Sequence, residues 1–530
     1  MVGRVGFTTL LVYILPIFFV KTITGNAVSN SKRQFINVEN GSFFKSCSRH
    51  YLVSMNYWSA MNLAADDDVG GNLTRFKIEV KQLAEMGVNN VRIMAASEAA
   101  GHPPYRMYPA LMHAPDSEKM YIGLDRALNE FSRYDISVVM TLNNFWHWSG
   151  GYAQYVSWAT NNSQIPYTSS WDPSLNPPYG NWSNNGTHGK YNPATGNWDG
   201  FNGYAGRFYN DSSITNLTQT WFRNHIHNVV HRVNTINGVV YKDDPTIMTW
   251  ELTNEPQDPP VKWVEETSTY IKSIAPNHLV TVGFEGKNGE WWFKRVHAPH
   301  SIDYSCGHLW VQNWGFYDPL DPSEKSLERA KIFANEYLRN LSKWTLDLKK
   351  LMGFIINFAG LINVPIVLEE FGMARDNWLN VKKGAPTKHY LYELSSSLSA
   401  SAATTHKDDF FEAVISQVVD YFQRGAGWQG TGQVIFSFSA ASNKQPEPNL
   451  FLLLLKRPPW AYGGIWRPTD LRNHFNGAWA GDPPHEPPGW YDLYDTDPTI
   501  EIIRKQAQNV TKIIESFKKN SSNLAYGCKF

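Results

Sequence analysis

Thr246-Ile247-Met248-Thr249-Trp250-Glu251-Leu252-Thr253-Asn254-Glu255-Pro256 runs from a mostly apolar segment into an amide, an acid and a proline. Thr246–Leu252 is apolar and β-branched, the composition of a strand buried on both faces. Pro256 stops it, leaving Asn254 and Glu255 at its C-terminal end. Runs of the same kind recur along the chain: Tyr51–Trp58, Asn90–Ala95, Ser137–Asn144, Leu279–Phe284, Ile302–Trp310 and Pro365–Phe371. An eighth is expected after residue 425.

Helical patterns alternate with these strands. Leu73–Met86 carries Phe76, Ile78, Val80 and Leu83 and ends at Gly87, a suitable C-cap. The others are Leu124–Tyr134, Ser213–Val233, Val261–Ile274, Leu327–Leu348, Asp408–Phe422 and Thr499–Phe517. Alternation of this kind predicts an α/β fold with a parallel sheet, and seven or eight units make a single closed (β/α)8 TIM barrel with long βα loops the economical architecture. A doubly wound open sheet is the alternative, but its Gly-rich phosphate loop is missing after the first strand. Residues 149–210 read as a long polar, aromatic loop holding Trp158, Trp171, Trp182 and Trp198, placed to wall a cleft.

The bulk properties narrow the class. The chain has 530 residues, equal numbers of acidic and basic side chains (48 each) and no long basic run, which argues against nucleic acid and acidic membranes as partners. Aromatic residues reach 14%, with 21 Trp, and flat rings of this kind pack on the apolar faces of sugars. Residues 1–27 read as a signal peptide: Arg4, then an apolar run from Gly6 to Val20, then Gly25-Asn26-Ala27. The run is short for a membrane span. Sequons at Asn40, Asn72, Asn161, Asn181, Asn185, Asn210, Asn216, Asn340, Asn509 and Asn520 agree with export, making the product a secreted, extracellular glycoprotein. Residues 28–530 are then one catalytic domain. The three cysteines build no disulfide scaffold; Cys47 and Cys528 are placed to bridge, and Cys306 falls in a strand as a free thiol. No Cys/His pair has metal-site spacing, and no cofactor is implied.

The chemistry lies at two strand ends. Glu255 closes one. Pro365-Ile366-Val367-Leu368-Glu369-Glu370-Phe371-Gly372 closes another, and since successive strand residues face opposite ways, Glu369 and Glu370 are not both expected to face the centre. Strand parity does not say which does. Two carboxyl groups across a scissile bond are what glycoside hydrolysis requires, and retaining enzymes hold them ~5–5.5 Å apart.

These motifs resemble glycoside hydrolase family 5, most closely its endo-β-1,4-mannanase branch, from about Tyr51 to Asp497. The resemblance implies Glu255 of Asn-Glu-Pro as acid/base and Glu370, before the aromatic-Gly pair, as nucleophile. It implies substrate-binding or supporting roles for Trp58, Arg92, Asn254, His308, Trp310 and Trp460. Arg92 comes from Asn89-Asn90-Val91-Arg92 and is placed beneath the nucleophile. Leu142-Asn143-Asn144-Phe145-Trp146 is similar to the third strand and its loop, and His308-Leu309-Trp310 to the sixth. Many members carry Tyr where this chain has Trp310, whose indole can only donate. Trp460-Ala461-Tyr462-Gly463-Gly464 is similar to the end of the eighth strand. The implied enzyme is a secreted, monomeric endo-β-1,4-mannanase acting on β-mannan polysaccharides and manno-oligosaccharides by double displacement. An exo-β-mannosidase or β-1,4-glucanase of the same fold, or a non-catalytic sugar-binding relative, are the alternatives.

Two stretches depart from the pattern. Leu351–Asn363 sits between a good helix and the seventh strand, and Val434–Pro459 contains the apolar run Leu450–Leu454. They read either as genuine insertions or as translated intron sequence, the second being favoured for Val434–Pro459.

Overall fold

The structure is a computed structural model. It describes residues 34–39, 41–46, 48–66, 71–98, 117–146, 149–166, 191–192, 197–198, 200–317, 323–355, 364–373, 376, 403–423, 428–435, 465–466, 478–479, 493 and 497–520. The signal peptide, Cys47, Cys528 and Trp460 lie outside the described residues.

Eight parallel strands form the centre: β1 (Leu52–Tyr57), β2 (Asn90–Met94), β3 (Ser137–Thr141), β4 (Ile247–Glu251), β5 (Leu279–Thr281), β6 (Ser305–Leu309), β7 (Ile366–Phe371) and β8 (Trp428–Ile435). Their order in the sheet is β5-β4-β3-β2-β1-β8-β7-β6. The two ends meet through Asp303 N–H to the Val280 carbonyl (2.9 Å), Val280 N–H to Asp303 Oδ2 (2.6 Å) and His308 N–H to the Glu285 carbonyl (2.9 Å). The chain therefore folds as a (β/α)8 barrel, and the open-sheet alternative falls away. All residues of β1 to β7 are buried, as expected of strands filled on the inside and covered by helices outside.

The helices lie where their periodicity places them, including Leu73–Glu85, Ser117–Arg133, Thr215–Val230, Val261–Ile274, Thr405–Gln423 and Thr499–Asn520. Helix Leu73–Glu85 begins at Asn72, whose Oδ1 accepts the Arg75 N–H, and buries Phe76, Val80 and Leu83. Ile78, expected on that face, is exposed, because it lies two positions beyond Phe76 and so on the far side of the helix. The described part of 149–210 is not a loop throughout. Gly151–Ala159 and Phe201–Asn210 are helices, and Trp158 packs half-buried against the core.

The sequence reading missed a small antiparallel sheet, Asn37–Glu39, Ser42–Lys45 and Ser48–His50. It plugs the barrel floor. Ile36 and Phe43 pack with Leu52, Met248, Leu279, Tyr304 and Val367, at or near the N-terminal ends of the strands. That leaves the C-terminal mouth for chemistry.

The two departures are partly corrected. Helix Glu324–Ile355 runs on past the predicted end at Leu348 into the first of them. Val434 and Ile435 are not inserted residues: they pair with Asn56 and Tyr57 as the end of β8. Residues 436–464, including Trp460, which the resemblance puts at the end of the eighth strand, lie outside the described residues. Cys306 is a buried free thiol, as expected of a strand residue. Among the described residues no helix is long and apolar enough to cross a membrane.

Candidate active site

Arg92 organises the mouth. It points from β2 into the barrel, 2% exposed, and every guanidinium nitrogen is committed. Nε donates to Glu251 Oε2 (2.7 Å) and Nη2 to Glu251 Oε1 (2.5 Å) and Asn254 Oδ1 (2.9 Å). Nη1 donates to Asn56 Oδ1 (3.1 Å) and to Glu370 Oε1. The Trp58 ring lies over the guanidinium, 4.5 Å from its centroid to Cζ, and is itself buried. Trp58 thus reaches the site as a cover on Arg92.

Glu255 follows β4 with φ +49°, a left-handed backbone that is costly for a residue with a Cβ. Its N–H donates to the Gly283 carbonyl (2.9 Å), and the Gln257 side chain donates to its carbonyl (3.0 Å). Gly283 itself has φ +80°, and a Cβ there would meet the Thr253 carbonyl at 2.0 Å. This knot turns the Glu255 carboxylate inward. Oε2 accepts from Trp146 Nε1 (2.6 Å) and Oε1 lies 2.7 Å from His308 Nδ1. Asn254 is fully buried, its amide engaged by Arg92 and by Asn144 Oδ1 (3.2 Å).

Across the mouth, Glu370 Oε2 accepts from Trp310 Nε1 at 3.0 Å. His308 Nδ1 is 3.2 Å from the same oxygen. A carboxylate oxygen of Glu255, one of Glu370 and a ring nitrogen of His308 all lie within 4.8 Å of one another. That is the spacing class of a retaining carboxyl pair. The same three groups have the donor set for a divalent cation, but the positive charge is already supplied by Arg92 and the indoles take up carboxylate lone pairs.

The two carboxyls are driven apart in acidity. For Glu370, burial pushes upward, but the charges of His308 and Arg92 outweigh it and bring the carboxyl down to about 2. Glu255 is raised, first by burial and then by the negative charges of Glu285 and Glu370, which overcome its bond to His308. One group is ionised and the other inclined to keep a proton, the division of labour that acid/base and nucleophile need.

Strand parity failed at Glu369. In the β6–β7 ladder Gly307 pairs with Leu368 and His308 with Glu370, so Glu369 is the extra residue of a β-bulge. The bulge resets the alternation, and both carboxylates reach His308: Glu370 at Nδ1, Glu369 at Nε2 (3.6 Å). Sequence reasoning also missed Glu251, whose only signal was a charge inside an apolar strand, and Glu285, which pairs with Lys287 (2.7 Å) and accepts from Gln257 Nε2 (2.7 Å).

Trp146 is a direct test of this geometry. Replacing it with Phe removes a donor that favours the Glu255 anion. The basic limb of the kcat/KM profile is expected to move to higher pH, with activity at the optimum falling less than about tenfold.

Comparison with known proteins identifies the family. A family model described as "GH family 5 beta-mannosidase-like" matches residues 33–449 and 455–515, so the gap in the match is the apolar run 450–454. The chain is similar to a family 5 mannosidase of Rhizomucor miehei, with 36% identity and TM-score 0.71 over 91% of this chain and 99% of that one. It is 26% identical over 427 residues to mannan endo-1,4-beta-mannosidase 4 of Solanum lycopersicum, covering 77% of this chain and 86% of the relative. To mannan endo-1,4-beta-mannosidase 4 of Oryza sativa subsp. japonica it is 27% identical, over 68% of each chain. The fold is shared with an endo-1,4-beta-D-mannanase of Thermotoga petrophila at 17% identity and TM-score 0.51, over 87% of this chain and 99% of that one. The chain belongs to the mannosidase-like group of glycoside hydrolase family 5 and is a glycoside hydrolase.

Proposed function

We propose that this chain is a secreted retaining hydrolase of β-mannosidic bonds, with Glu370 as nucleophile and Glu255 as acid/base. The observation that carries it is the carboxyl pair: within 4.8 Å of each other through His308, one held ionised and one raised toward protonation. Glu370 attacks the anomeric carbon as Glu255 gives its proton to the departing glycosidic oxygen. Glu255 then takes a proton from water, which displaces Glu370 and releases the sugar with its configuration retained.

For the mode of attack, we infer action from the chain end, releasing mannose. The support is the likeness to a Rhizomucor miehei mannosidase at 36% identity over nearly its whole length. Internal cleavage of mannan, the expectation from sequence, is the second reading, supported by the plant relatives named mannan endo-1,4-beta-mannosidase. Incubation with mannohexaose separates them. The first reading expects mannose as the sole early small product, with a ladder of shortened chains. Early mannobiose and mannotriose without mannose would overturn it in favour of the second. No hydrolysis of mannohexaose or p-nitrophenyl β-mannoside by folded protein would sink both.

Export belongs to the same proposal. The described sequon residues Asn72, Asn161, Asn210, Asn216, Asn340 and Asn509 are all exposed, as a glycan requires. A shift in gel mobility of the secreted product on deglycosylation is the check; an unshifted, cell-retained product would refute it.

Glu255→Gln discriminates the roles of the pair. Loss of general acid assistance should lower kcat/KM about 10²–10⁴-fold on mannobiose. The loss should nearly vanish for an aryl mannoside whose leaving group needs no proton. Equal losses on both substrates would contradict the acid role.

A further inference from the structure

His308 is enclosed by carboxylates at both ring nitrogens. Nδ1 lies 2.7 Å from Glu255 Oε1 and 3.2 Å from Glu370 Oε2, while Nε2 faces Glu369 Oε2 at 3.6 Å. The ring is fully buried and Glu369 is 4% exposed. Neither His308 Nε2 nor either Glu369 oxygen has a hydrogen-bond partner among the described residues. A separation of 3.6 Å is too long for a hydrogen bond but within ion-pair range. A buried carboxylate lacking donors is costly, and one left beside a buried ring that can carry charge stays in the fold only where its charge is matched. The bulge at Glu369 is what aims it there; without the extra residue the side chain would point out of the barrel.

We propose that Glu369 is a positioning residue, the buried counter-ion that fixes the His308 ring so that its single Nδ1–H is shared between Glu255 and Glu370. The idea rests on the roles proposed above for those two residues. Its use follows from where the charge goes. Before bond cleavage the negative charge is on Glu370, and Nδ1–H faces it. In the glycosyl-enzyme Glu370 has become a neutral ester and Glu255, its proton spent, carries the negative charge. The same Nδ1–H then has Glu255 to face, whose Oε1 already lies 2.7 Å from Nδ1 in this structure. One imidazolium serves both half-reactions without changing its own protonation, provided Glu369 keeps it charged. The titratable groups around the His308–Glu369 pair are Glu255 after β4, Glu370 on β7, Glu285 after β5, and Glu251 and Arg92 beyond them, with Cys306, Tyr304 and His297 on the side of Glu369.

Two measurements test this. In the wild-type enzyme with ¹⁵N-labelled histidine, the His308 nitrogens should both show the imidazolium shift at about pH 7, where an ordinary histidine is mostly neutral. A neutral His308 there would overturn the proposal whatever the fate of any variant. In Glu369→Gln, which keeps the side-chain shape, loss of the imidazolium removes a positive charge from both carboxyls. Both limbs of the kcat/KM profile should then move to higher pH by about one unit, with kcat reduced about tenfold and KM nearly unchanged. A lower kcat with unmoved limbs means a merely structural role and refutes the proposal. The NMR result does not depend on which carboxylate attacks, so failure of the nucleophile assignment would be seen separately, in the trapping of Glu370.

Discussion

Glu370→Ala is expected to lower kcat on any β-mannoside by about 10⁵-fold or more, since the covalent route needs this oxygen and among the described residues no other carboxylate takes its place. The neighbouring carboxylate cannot substitute, because Glu369 sits at the opposite nitrogen of His308. Added azide should restore turnover on an activated aryl mannoside by attacking the anomeric carbon in the vacated space. The product is then the α-mannosyl azide, inverted because only one displacement occurs. Retention of substantial turnover without azide, or rescue giving the β-azide, would contradict the nucleophile assignment.

The second large effect is on stability. Arg92→Met should destabilise the fold by about 3–5 kcal/mol, because it strands buried carboxylates and does not merely delete a contact. Glu251 is fully buried and takes two guanidinium bonds, and Glu370 and Asn254 lose partners with it. Chemical denaturation measures the loss. A midpoint unchanged from wild type would show that the network is solvated or re-satisfied. The pH dependence sharpens the expectation. Glu370 is held from its ordinary 4.5 down to about 2, so it contributes stability that is full above its unfolded value and lost as pH falls toward 2. Without Arg92 the folded-state value moves back up toward 4.5, so this contribution shrinks and stability should fall less steeply over the same acid range.

The architecture was legible because a parallel barrel writes itself locally. Thr246–Leu252 and Pro365–Phe371 are unbroken apolar runs because both strand faces are covered, and Leu73–Met86 shows its buried face at helical spacing. The mouth was legible because acids at the ends of such strands have no structural use that their position explains. What stayed hidden depends on tertiary context. The strands of the floor sheet are three or four residues long, too short for a pattern. Gly151–Ala159 looks like loop because two glycines precede its apolar face. Glu251 could not be paired with Arg92 before β2 and β4 were placed across the barrel interior. Glu369 defeated the parity argument because a bulge, which leaves no mark in the sequence, turned it inward.

In the proposed mechanism Glu370 forms a covalent bond to a β-mannosyl residue. A 2-deoxy-2-fluoro-β-mannosyl fluoride should inactivate the enzyme by slowing release more than attack, leaving one sugar per chain. Peptide mass mapping is predicted to place that sugar on Glu370. An adduct on Glu369 or Glu255, or hydrolysis of a β-mannoside with α-mannose as the first-formed anomer, would contradict it.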